Sequence, residues 1–395
     1  MRGTFLPLSF DVQSLLAAAR AETGLDDFGD PAFMDGLTVL ATALSETSHL
    51  NETGRGAWHE MLRGYLLERL RVEDWFRRHP EIEDEEIRRP IVVTGLPRTG
   101  TTALTKLLAQ DPAARSLRSW ESARPTPPPE TAHQHDDPRI ALADATLAGM
   151  KAAAPDLAKM HDDTGASPTE SQDLLGMFFR TLHFDGMADL PGYLSWWLDC
   201  DMEPAYRYHA RVLRLLQWRC PPHRWNLKNP PDIFFLDALT RVHPDARIVW
   251  THRDPARVLA SVCSLVATVR SIFSDDVPRA SLGEAQLANW SEGIRRALAF
   301  RRREGPGRFV DVQMSDLVER PLETVATVYD ELGLEFSKAI EKRIRAWSDE
   351  NPQGKHGSHH PTLEEFGLDP DRIHAVFADY LDSFSIPIEN PERTS

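Results

Sequence analysis

The stretch Pro90-Ile91-Val92-Val93-Thr94-Gly95-Leu96-Pro97-Arg98-Thr99-Gly100-Thr101-Thr102 decides how this chain is read. Pro90–Thr94 is a short β-branched run with the length and composition of a buried strand. It passes through a glycine-rich turn into Thr101–Gln110, which has helical character and is stopped by Asp111-Pro112. A strand, a glycine loop and a helix in that order bring backbone amides and a helix N-terminus to one point, where they hold an anion. The Gly-x4-Gly spacing overlaps the nucleotide P-loop, but Thr101 stands where that motif places its Lys. Without the Lys, a triphosphate–metal complex is harder to hold. Arg98, the loop amides and the hydroxyls of Thr99, Thr101 and Thr102 suit a smaller anion with no obligatory metal.

Working outward, a second alternation of strands and helices follows. Trp225–Lys228, Arg247–Arg253 and Phe309–Val312 read as strands. Asp232–Val242, Pro255–Arg270, Glu284–Arg303 and Leu322–Leu332 read as helices, the last ended by Gly333. The pattern predicts an α/β fold, a P-loop-like parallel sheet flanked by helices on both faces. Before it, Phe33, Leu37, Leu40, Ala41 and Leu44, then Trp58, Met61, Leu62, Tyr65, Leu66 and Leu70, keep the three-four spacing of helix stripes. The expected organisation is a helical N-terminal region over 1–89 and an α/β domain over 90–395. A helical insertion on the acceptor side spans about 120–222, where most of the aromatics read as core. Glu81–Glu86 reads as a solvated acidic linker, and Arg124–Pro129 as a loop, because prolines interrupt any helix or central strand.

The net charge of −15 disfavours nucleic acid or an anionic membrane as a partner, while leaving room for a local basic pocket. Three widely spaced cysteines (Cys200, Cys220, Cys263) form no disulfide framework and no CxxC knuckle. With no signal-peptide core at Met1–Pro7 and no run of about 18 apolar residues, no transmembrane segment is expected and the expected address is the cytoplasm.

A second constellation is Arg247-Ile248-Val249-Trp250-Thr251-His252-Arg253-Asp254-Pro255, followed by Ser261. Arg253 ends a strand, where parallel sheets bind their ligands, and Asp254 suits the cap of a helix starting at Pro255. Arg253 and Ser261 are placed to grip a phosphate. Together the two constellations resemble the superfamily of sulfotransferases that use 3′-phosphoadenosine 5′-phosphosulfate (PAPS), in particular its bacterial branch and the tyrosylprotein sulfotransferases. The resemblance covers about residues 90–265. It implies that Pro97, Arg98, Thr99, Gly100, Thr101 and Thr102 bind the 5′-phosphosulfate, that Arg253 and Ser261 bind the 3′-phosphate, and that Lys228 in Asn226-Leu227-Lys228-Asn229-Pro230 contacts the transferring sulfate. It also implies that Lys355, His356 and Gly357 fold over the donor, where a metal-binding or plain solvated loop is the other reading of that His-rich stretch.

The resemblance further implies catalysis by Arg98, Lys228 and a base. Glu121 is the nearest match for the base, with Glu170 and His183 as alternatives. The expected acceptor is a small molecule with a hydroxyl (a lipid, phenol or natural product). A P-loop-type small-molecule kinase and a degenerate, non-catalytic nucleotide-binding module stay open as other readings.

Overall fold

Residues 9–46, 49–155, 163–221, 224–351 and 361–389 are described by a computed structural model. Five strands, β1 Ile91–Gly95, β2 Ala114–Ser116, β3 Arg224–Lys228, β4 Arg247–His252 and β5 Phe309–Gln313, form one sheet in the order β2-β3-β1-β4-β5. Every pairing is parallel. Ile91 sits opposite Asn226 on one side and Arg247 on the other. β1 is buried along its whole length because helices cover both faces, which is why it reads as a continuous apolar run rather than an alternating one.

Side chains alternate across the sheet. Val92, Ile248 and Trp250 pack into a large core shared with the N-terminal helices Val12–Thr23, Phe33–Glu46 and Glu52–Arg78 and with the helices between β2 and β3. Ile91, Val93, Val249, Val310 and Val312 face a smaller core built by the Thr101–Leu108, Pro321–Glu331 and Lys338–Glu350 helices. The buried Arg69 ties the N-terminal helices to the segment after β2. It donates to the carbonyls of Phe28 (2.6 Å) and Met177 (3.1 Å) and lies over the Phe33 and Tyr208 rings.

Two expectations need correction. The acidic run is no plain solvated linker: it forms a 3-10 turn over Pro80–Asp84 with Ile82 buried. Glu83 there pairs with Arg211 and Arg214, and Glu85 accepts from Gln217 at 2.7 Å. β2 was not expected at all, being three residues long with an Arg at its centre. Arg115 is nonetheless buried, its guanidinium over the Trp225 ring of the neighbouring strand.

One helix among the described residues, Pro255–Phe273, is long and apolar enough to cross a membrane. Half of its apolar window is buried inside the protein. Asp254 caps it by accepting from the Ala256 amide at 2.9 Å.

Candidate active site

β1, β3 and β4 all end at the same edge of the sheet, so the residues that follow them converge there. Gly95 ends β1 with φ +140°, and a Cβ placed on it would lie 2.6 Å from the Thr251 carbonyl oxygen of β4. The close approach of the two strands under the loop therefore requires glycine. Gly95→Ala is expected to lose roughly 1–3 kcal/mol from backbone strain alone, read as a lowered midpoint in thermal unfolding; an unshifted midpoint would show that the loop relaxes around the methyl.

Gly100, at φ +90°, turns the chain into the Thr101–Leu108 helix, and Arg98 at φ +65° stands at the loop's tip. Its Nε donates to Ser261 Oγ at 3.0 Å, and its own carbonyl accepts from Arg253 Nη1 at 3.3 Å. The loop thereby meets both members of the second constellation. Burial first, and then the neighbouring Arg253 charge, lower the pKa of the Arg98 guanidinium. Two cations held this close out of water are a site for an anion.

Glu170 reaches the same edge by a different route. The Thr169 amide donates to the Leu117 carbonyl after β2 (2.8 Å), and the Ser171 amide to the Lys228 carbonyl at the end of β3 (3.0 Å), so Glu170 is strung between two strands. From beneath, the buried His209 Nε2 meets Ser171 Oγ at 3.0 Å. Lys228 Nζ then donates to Glu170 Oε1 at 3.0 Å and to Thr102 Oγ1 at 3.3 Å, and Gln172 donates to the other Glu170 oxygen. Below this group lies Asp232, which accepts from Tyr206 and Asn229; burial raises its carboxyl to about 7, with the Glu170 charge adding to the rise.

A cavity of about 570 Å³ opens at this end of the sheet. Pro97, Arg98, Gly100, Thr101, Thr102, Lys228, Arg253, Glu170 and His183 all line it. Apolar side chains line it too, among them Val262, Leu265, Val266 and Val269 of the Pro255–Phe273 helix, together with Met187 and Trp290. The sequence places the acceptor cleft in residues 120–220 and parts of the helical additions, and Leu147, Met150, Leu182 and Met187 of that stretch do line the cavity, while the stripe on the Pro255–Phe273 helix was not foreseen. The 262-265-266-269 spacing immediately after Arg253 was the signal that would have found it.

Three expected site residues are placed elsewhere. Glu121 does not line the cavity: its carboxylate is fully buried between Arg115 (2.5 Å) and Arg118 (2.8 Å) and cannot meet an acceptor there. The Thr99 hydroxyl turns inward, to the Leu96 carbonyl (2.6 Å) and Thr251 Oγ1 (2.5 Å), and fastens the loop to β4 instead of facing a ligand. Ser261 is absent from the lining and meets the site through Arg98. Lys355, His356 and Gly357 lie outside the described residues.

Comparison with known proteins follows the same lines. Residues 90–338 match the sulfotransferase family. The chain belongs to that family. Among solved structures, sulfotransferase STF1 from Mycobacterium tuberculosis H37Rv is 33% identical, with a TM-score of 0.83 over 93% of this chain and 98% of that one. Sulfotransferase STF9 from Mycobacterium avium is 28% identical, with a TM-score of 0.88 over 99% of this chain and all of that one. No curated protein matches. The region matched to the family runs from Pro90 to Lys338, so it spans the whole sheet and the positions of Arg98, Glu170, Lys228 and Arg253.

Proposed function

We propose that this sulfotransferase takes its sulfuryl group from PAPS and passes it to the hydroxyl of a small acceptor with an apolar body. The observation that carries the reading is the convergence of Arg98, Arg253 and the Lys228–Glu170 pair on one cavity that apolar side chains also line. The paired guanidiniums and the glycine loop fit a donor with two anionic ends, and the Thr at position 101 fits a loop that does not hold a triphosphate.

The donor supplies one sulfuryl group: the bond from the acceptor oxygen to sulfur forms as the bond to the bridging phosphate oxygen breaks. Around that exchange the chain positions charge. Arg98, the loop amides and the Thr101 and Thr102 hydroxyls hold the 5′ end, and Arg253, with Ser261 behind Arg98, holds the 3′-phosphate. An ammonium has three N–H donors. Thr102 and Glu170 take two from Lys228, which leaves one for an oxygen that gains charge in the transition state. Glu170 accepts the proton of the acceptor hydroxyl, and His183, on the same cavity, is the other candidate for that role. The apolar stripe of the Pro255–Phe273 helix takes the body of the acceptor, which favours a lipid, phenol or similar natural product over a sugar.

Calorimetric titration in the presence of a metal chelator tests the donor. The 3′,5′-ADP product is expected to bind at least about tenfold more tightly than ATP, since a charge-assisted phosphate grip contributes on the order of 1.5–3 kcal/mol. Tighter, magnesium-dependent binding of ATP would return the site to the kinase reading. Turnover of radiolabelled PAPS across a panel of apolar alcohols and phenols separates an active enzyme from a degenerate binding module.

A further inference from the structure

The guanidinium of Arg253 already carries an anion from within the chain. Its Nε donates to Glu389 Oε1 at 2.8 Å and its Nη2 to Glu389 Oε2 at 2.9 Å, the two-bond fit that a planar guanidinium offers a carboxylate or a phosphate. Glu389 comes from the far end of the sequence, beyond the residues matched to the family.

The contact is built from both sides. The Glu389 amide donates to Asp254 Oδ2 at 2.9 Å, and the other oxygen of Asp254 is held by the Ala256 amide and by His374 Nε2, both at 2.9 Å. Upstream, the Phe384 ring stacks on His252 at 4.0 Å, the Tyr380 hydroxyl meets His252 Nδ1 at 3.1 Å, and Gln313 Nε2 donates to the Phe384 carbonyl at 2.9 Å. The segment that delivers Glu389 is thus fastened to the ends of β4 and β5, a few residues before it reaches Arg253.

We propose that Glu389 is a built-in competitor for the donor's 3′-phosphate, setting how much affinity that group adds. The inference rests on the donor reading above. A 3′-phosphate has to take Arg253 from Glu389, and it does so with nearly two charges against one and with three acceptor oxygens against two. Arg257, whose Nε lies 3.7 Å from a Glu389 oxygen, gives the displaced carboxylate a second cation to turn to. A nucleotide without a 3′-phosphate leaves the Arg253–Glu389 pair as it is. The grip on the 3′-phosphate is therefore weaker than Arg253 alone would make it, by the fraction of molecules in which Glu389 has let go.

Calorimetric titration of 3′,5′-ADP and of 5′-AMP into the wild type, Glu389→Gln and Arg253→Ala tests this, with thermal unfolding as the check on folding and Glu389→Ala as a second variant. Glu389→Gln is expected to bind 3′,5′-ADP roughly tenfold more tightly and 5′-AMP within about twofold of the wild type. Arg253→Ala is expected to bind the two nucleotides nearly alike. Unchanged or weakened 3′,5′-ADP binding in both Glu389 variants, beside a selective loss in Arg253→Ala, overturns the competitor and leaves the donor assignment standing. If Arg253→Ala keeps its preference for 3′,5′-ADP, the donor assignment itself falls and the competitor falls with it.

Discussion

Glu170→Gln is expected to lower kcat by about 10²–10⁴ while 3′,5′-ADP binding stays within about twofold of the wild type. The amide keeps the size of the side chain and one acceptor oxygen for Lys228, so the cavity and the cation beside it survive. What it loses is the capacity to take a proton from the acceptor hydroxyl. Kinetics under saturating donor separate the two effects, and calorimetry reads the binding directly. Wild-type turnover in this variant would remove Glu170 from the chemistry and move the role to His183, which also lines the cavity.

Glu121→Gln is expected to fail in another way, by losing stability on the order of 3–5 kcal/mol. Burial by itself would raise the pKa of this carboxylate, but the charges of Arg115 and Arg118 outweigh it and hold the group below its ordinary value of 4.5. The stabilisation is accordingly present above that ordinary value and fades as the pH falls through the lowered one. Neutralising Glu121 leaves the buried Arg115 and the part-buried Arg118 guanidiniums facing each other across 2.5 Å and 2.8 Å contacts that have lost their charge. Urea unfolding measures the loss, and the enzyme that remains folded is expected to turn over at close to the wild-type rate. A selective collapse of kcat with unchanged stability would restore Glu121 as the base.

The difference between these two glutamates shows what the chain makes plain and what it hides. Short-range signals were dependable: β1 and its loop, Lys228 at the end of β3, and Arg253 at the end of β4 are each fixed by a strand that stops where a helix begins. Glu121 is near the loop in sequence, yet the three-residue β2 carries Arg115 into the interior and turns Glu121 toward it. No periodicity announces so short and polar a strand. Glu170 reaches the cavity because the backbone on either side pairs with Leu117 and Lys228, from Thr169 and Ser171 respectively, and such long-range pairings leave no local mark. Thr99 was expected to face the ligand because hydroxyls in a glycine loop commonly do; β4 lies near enough to take it instead. Glu389 was invisible for the same reason of distance, since 136 residues separate it from Arg253.

The Pro255–Phe273 helix gives the site a scale. It starts beside Arg253, carries Ser261 against the loop's Arg98, and then presents Val262, Leu265, Val266 and Val269 to the cavity. At a rise of about 1.5 Å per residue, the step from Ser261 to Val269 covers roughly 12 Å. Under the proposed reading this one rod is a ruler, with the donor's 3′-phosphate at one end and the acceptor's tail measured off along the other. Substitutions at 265, 266 and 269 can then lengthen or shorten the acceptor that fits without touching the residues that hold the nucleotide, so the choice of acceptor is free to drift while the donor stays fixed.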